Sequence, residues 1–209
     1  MISRYNDKIF VKPGESEPVA SSILQKLYGD KWNRGVVKTK LAEQGFVSQA
    51  GNYFLISDAA GKFSYVDKLG SKNHRFIMPV ATGGTEFGLR MENGHIDTEI
   101  QIGAGSNGIF MVVTSEYDYE FSSPIKKITS NIGIDPDQKY VCEATSELNV
   151  RIVNFCQLPN GEVIIPSGSR NFTAFMEDQV GSGRIFELEI DPVKDFWPGG
   201  GIRCMTQII

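Results

Sequence analysis

The chain has 209 residues, 41% of them hydrophobic, and a formal net charge of −4. A chain of this length buries a proper core without disulfide staples, as one large all-β domain or two small ones. Near-balanced charge, with no basic run denser than Lys126-Lys127, argues against a nucleic-acid grip built on clustered Lys and Arg.

Met1 to Val11 reads as a polar arm leading into a short strand, Lys8 to Val11, which Pro13-Gly14 ends. A helix is expected next. Ser16 is its cap, Glu17 and Pro18 fill its first turn, and Val19, Ile23 and Leu27 recur at four-residue steps up to a stop at Gly29. Arm and helix together occupy residues 1–34.

From Gly35 the hydrophobic period is close to two. Val36-Val37, Gly45 to Val47, Asn52 to Ser57, Lys62 to Val66 and Arg75 to Val80 read as strands, with Pro79 marking an edge. Phe87 to Met91 and Ile96 to Ile102 flank Asn93-Gly94, a hairpin turn signal. Ile109 to Tyr119 is the longest expected strand. Its second half alternates Tyr117, Tyr119 and Phe121 against Glu116, Asp118 and Glu120, so one side is buried and one wet. Ile125 to Ile128 and Tyr140 to Ala144 follow as strands. A composition shift over 124–137 marks at most a weak subdivision of a single domain.

Val150 to Pro166 carries the clearest signal. Pro159-Asn160-Gly161 separates two runs rich in β-branched residues. A type I turn with a bulge at Gly161 gives Pro159 its preferred place and pairs Gln157 with Val163 and Cys156 with Ile164. Such a hairpin is apolar on both faces and belongs in the middle of a sandwich. Asn171 to Phe175 and Arg184 to Ile190 continue the pattern. Trp197-Pro198-Gly199-Gly200-Gly201 breaks it, and Ile202 to Ile209 closes the chain as a strand-like tail.

The motifs are sparse in chemistry. Gly103-Ala104-Gly105-Ser106-Asn107-Gly108 matches the dinucleotide-binding pattern, but β-prone residues follow it where a helix is required, so it reads as a hairpin loop. Glu116, Asp118 and Glu120 would diverge along a strand, which does not suit a hard cation. Three cysteines, Cys142, Cys156 and Cys204, match no metal spacing; Cys142 and Cys156 read as small core hydrophobes. His74 and His95, the only histidines, sit beside turn residues and read as surface groups. Trp197 offers a ring for stacking on a glycan.

The expected fold is mostly β: an antiparallel sandwich or barrel-like core with one short N-terminal helix. No catalytic, metal or cofactor residue is assigned. With strand-like ends and no catalytic grammar, the chain reads as a non-catalytic structural subunit of a large assembly, a virus or bacteriophage virion component. It would be made in the cytoplasm without a signal peptide and pack against copies of itself or other structural proteins, with no nucleic acid or membrane partner. Ile2, Phe10, Trp197, Ile208 and Ile209 are its candidate interface residues. Two other readings stand beside it: a carbohydrate- or receptor-binding sandwich module using Trp197, and a hydrolase whose carboxylates meet only in the fold.

Overall fold

The computed structural model describes residues 2–5, 8–11, 36–38, 44–59, 69–80, 95–143, 152–189 and 202–205. Among them the strands form four separate three-stranded sheets, not two stacked ones. The first contains β1 (Ile2–Tyr5), β2 (Lys8–Val11) and β3 (Val36–Lys38). The second contains β4 (Val47–Ala50), β5 (Tyr53–Ser57) and β6 (Arg75–Met78). The third contains β7 (Ile100–Gly105), β8 (Gly108–Thr114) and β9 (Lys139–Cys142). The fourth contains β10 (Cys156–Gln157), β11 (Val163–Pro166) and β12 (Ile185–Leu188).

Each sheet repeats one plan. An antiparallel hairpin supplies two strands, and a crossover returns a third strand parallel to the second. Parallel neighbours need such a crossover. In the third unit it holds helices α1 (Ser115–Glu120) and α2 (Ser122–Ile132), and in the fourth α3 (Arg170–Val180). A short helix, α4 (Ile202–Met205), follows.

The β-sandwich with a single N-terminal helix is therefore corrected to a mixed α/β architecture of repeated small sheets. The helix expected over Ser16 to Gly29 lies outside the described residues. Three expected strands of the third and fourth units are helical instead. Past Thr114 the chain turns into α1, because the Thr114 side chain accepts a hydrogen bond from Tyr117 N at 3.3 Å and Glu116 and Asp118 occupy the first turn. Tyr117 is buried and donates to Pro79 O at 2.6 Å, while Tyr119 is 88% exposed, so the alternation was not that of a strand. In α2, Ile125 and Ile128 are buried with Ile132 one turn on, and Gly133 ends the helix in the left-handed region at φ 78°. Phe172, Met176 and Val180 form the buried stripe of α3 at steps of four.

The 156–166 hairpin has the expected register, with Cys156 opposite Ile164 and Gln157 opposite Val163. Gly161 has φ 86°, and its N–H donates to Leu158 O at 3.0 Å, closing the bulged turn. The 103–108 stretch is a hairpin too, with Gly105 opposite Gly108. The hairpin is largely buried on both faces, and so are β5 and β8. Met111 and Val113 join one core with Leu55, Ile100, Tyr117 and Ile125; Phe110 and Val112 join another with Phe155, Val163, Phe172 and Met176. All four β8 side chains are fully buried, each contributing roughly 1.5–3 kcal/mol.

The units meet along their first strands through polar side chains. Ser48 of β4 bonds both Ile102 N (3.0 Å) and Ile102 O (3.5 Å) of β7. Gln101 of β7 donates to Phe155 O at 2.7 Å. Gln157 of β10 accepts from Ala104 N at 2.8 Å and donates to Ala104 O at 2.6 Å. Each of these polar residues is the second of its strand, and each satisfies backbone groups of a neighbouring sheet. Side chains of this kind join the first strands of the second, third and fourth units in sequence.

Candidate functional site

At the starting ends of these inner strands, four segments close into a ring of hydrogen bonds. The turn before β4 presents Gly45 O, which accepts from Ile96 N at 2.7 Å and Asp97 N at 3.3 Å. Asp97 is buried in the turn before β7, and its Oδ2 accepts from Asn154 Nδ2 at 2.7 Å. Asn154 is buried before β10, and its Oδ1 accepts from Arg203 N of α4 at 2.8 Å. Arg203 Nη2 then donates to Val47 O at 2.7 Å, two residues from Gly45. The ring thus links the second, third and fourth units to α4 and returns to its start.

His95 and Cys204 belong to this ring's segments. The half-buried imidazole of His95 stands edge-on to Phe46, with ring centroids 4.7 Å apart. It lies directly over Gly45: a Cβ there would sit 2.3 Å from His95 Nδ1, so only a residue without a side chain admits the ring in this place. Cys204 is the α4 residue next to Arg203, whose backbone N–H is tied to Asn154. His95 is therefore not the free surface group expected of it. The tail from Ile202, expected as a strand, begins as α4.

The other sulfur and imidazole groups are placed differently. Cys142 is 3% exposed, and its Sγ donates to Val113 O at 3.4 Å. Burial, aided by the nearby Glu99 carboxylate, pushes its thiol up to about 12 against the hydrogen bonding that opposes it. It is protonated at neutral pH and cannot serve as a thiolate. Cys156 is 1% exposed. Both match the reading of small core hydrophobes. His74 packs on Tyr53, with centroids 4.8 Å apart, beside a different groove.

Of the expected interface residues, Ile2 and Phe10 lie in β1 and β2, where Ile2 pairs with Val11 and Phe10 with Ser3 and Val37. Trp197, Ile208 and Ile209 fall outside the described residues. Glu116, Asp118 and Glu120 lie on α1, and Asp118 pairs with Lys139 Nζ at 2.6 Å. Sequence reasoning assigned no catalytic residue and gave His95 and Cys204 no role. His95 stands two residues before an acid inside an apolar segment, and Cys204 alone among the cysteines follows a glycine triplet.

No protein-family profile and no curated protein sequence matches the chain. Solved structures do. A dimethylarginine dimethylaminohydrolase from Pseudomonas aeruginosa, a cysteine-to-serine mutant complexed with citrulline, aligns with a TM-score of 0.59 at 16% identity, over 98% of this chain and 72% of that one. A second dimethylarginine dimethylaminohydrolase structure, a histidine-to-glycine variant as an adduct with S-methyl-L-thiocitrulline, aligns at 0.57 and 14% identity with the same coverage. An agmatine deiminase from C. jejuni aligns at 0.46, 16% identity, 87% of this chain and 61% of that one. The first two likenesses correct the reading of the chain as a non-catalytic virion or bacteriophage component, because the architecture is that of hydrolytic enzymes. Among the described residues no helix is long and apolar enough to cross a membrane. The fold of this chain is a pentein-type α/β propeller of small sheets.

Proposed function

We propose that the chain is a hydrolase of guanidino or closely related amidino compounds, with Cys204 as nucleophile and His95 as general acid and base. The observation that carries this reading is the ring Gly45–Asp97–Asn154–Arg203–Val47, which ties the segment of His95 and the helix of Cys204 into one set of hydrogen bonds. Two neighbours of the same fold add support: one, with a cysteine replaced by serine, holds citrulline, and the other, with a histidine replaced by glycine, is an adduct with S-methyl-L-thiocitrulline.

The chemistry follows from the groups. An amidino carbon flanked by nitrogens is a poor electrophile, and a soft thiolate is the side chain suited to add to it. The Cys204 sulfur adds to that carbon, and one C–N bond breaks as His95 delivers a proton to the departing amine. His95 then takes a proton from water, whose oxygen adds to the sulfur-bound carbon. The C–S bond breaks, releasing a ureido product and returning the thiol. The balance is one water consumed and one amine released.

The test is turnover of a panel of guanidino compounds, free arginine and its N-methylated forms among them, read as ureido product and released amine. Cys204→Ser and His95→Ala should each lower turnover by at least about a thousandfold, the scale of losing a nucleophile or its base. Turnover that survives Cys204→Ser defeats the reading.

A further inference from the structure

A second site lies away from the ring. A groove of about 530 Å³ is lined by Tyr53, Lys72, Asn73, His74, Arg75, Phe76, Lys127 and Asn131. β4 runs from Val47, at the ring, to Ala50, which pairs with Tyr53 at the groove, so the two sites occupy opposite ends of one strand. The third unit supplies the facing wall, since Lys127 and Asn131 stand one turn apart on α2.

The lining has a definite chemistry. Three of its residues are Lys or Arg, a fourth is His74, and none is acidic, in a chain where acidic residues outnumber basic ones 25 to 21. Lys72 and Lys127 are exposed at the rim, while Arg75 and His74 are half-buried beneath. Arg and Lys together recognise phosphoryl oxygens, one by its fork and the other as a point charge. The volume falls within the range of about 300–1,000 Å³ typical of small-molecule sites and is too large for a bare phosphate. Asn73 and Asn131 add amide donors and acceptors. Tyr53 and Phe76, stacked with centroids 6.4 Å apart, add aromatic surface.

We propose that this groove binds a phosphorylated small molecule of mononucleotide size, its phosphate held by Lys72, Arg75 and Lys127 and its uncharged part by Tyr53, Asn73 and Asn131. A polynucleotide is disfavoured by the net charge of −4. Calorimetric titration of the full chain with AMP, adenosine and inorganic phosphate tests it. AMP should bind in the micromolar to low-millimolar range and weaken as salt rises. Adenosine should bind at least tenfold more weakly than AMP, and so should phosphate. Lys127→Glu, at an exposed position, should weaken AMP at least tenfold with the circular dichroism spectrum unchanged; Lys72→Glu checks the same outcome independently. Unchanged AMP affinity in both variants overturns the proposal, as does absence of AMP binding at 10 mM-scale concentrations or equal affinity for phosphate alone. Cys204→Ser should bind AMP like the parent chain, so this result stands or falls apart from the hydrolase reading.

Discussion

Asn154 Nδ2 donates to Asp97 Oδ2 at 2.7 Å, and both side chains are buried. One carboxamide therefore spans two jobs. Its nitrogen holds the carboxylate two residues from His95, and its oxygen holds the N–H of Arg203, next to Cys204.

Replacing Asn154 should affect both. Asn154→Ala removes one donor from the buried Asp97 carboxylate and the side-chain acceptor of Arg203 N–H, which keeps the Asn154 backbone O at 3.2 Å, costing about 1–3 kcal/mol. Urea denaturation measures this. Activity should fall further than stability accounts for. Asn154→Asp sets a second carboxylate against Asp97, so it should be less stable than the parent chain in the same titration.

Gly45→Ala isolates the position of His95. The added methyl meets the imidazole at 2.3 Å, and a side chain yields more readily than backbone. Turnover should drop by about a hundredfold, the order expected of a catalytic group misplaced by an ångström. The melting temperature should move little by comparison.

The three thiols should separate by reactivity. Iodoacetamide at pH 8 should label Cys204 in the native protein and leave Cys142 and Cys156, which are 3% and 1% exposed, untouched until urea is added. Peptide mass spectrometry identifies the labelled residue.

Cys142 also gives a pH signature. Its thiol is raised from 9.0 to about 12 in the fold, so the proton stays on in the native state where the unfolded chain loses it. The associated stability is complete below pH 9 and declines as pH rises toward 12, by up to about 1.4 kcal/mol per pH unit. The Tyr140 phenol, raised chiefly by burial, acts in the same direction. Cys142→Ala should cost packing at pH 7 yet show a shallower decline between pH 9 and 10.5 in urea titrations.

Thr114→Ala removes the cap of α1 and the partner of Glu99, whose Oε2 accepts from Thr114 Oγ1 at 2.8 Å. A loss of about 1–2 kcal/mol is expected, measured by urea midpoint.

Much of the local structure was legible in the sequence because short-range chemistry decided it. The Pro159-Asn160-Gly161 turn, the β4–β5 and β7–β8 regions and the burial of Cys142 and Cys156 follow from turn residues and apolar runs. The helices over Ser122–Ile132 and Arg170–Val180 were misread because short apolar stretches satisfy both periods, and only their buried stripes at three and four residues decide. The four-unit plan left no sequence repeat, since its equivalent inner positions carry Ser48, Gln101 and Gln157. The site was hidden for a different reason. Asp97, Asn154 and Arg203 meet only through long-range bonds, and no local pattern announces such a meeting.

The bond from Arg203 to Val47 joins positions 156 residues apart. During synthesis the individual hairpins can form as they leave the ribosome, but this clasp must wait for nearly everything between. Loop-closure entropy makes so distant a pairing slow. Nascent chains halted before position 203 would hold sheets without this clasp, so the proposed turnover should appear late in a refolding time course, after the circular dichroism signal has already recovered.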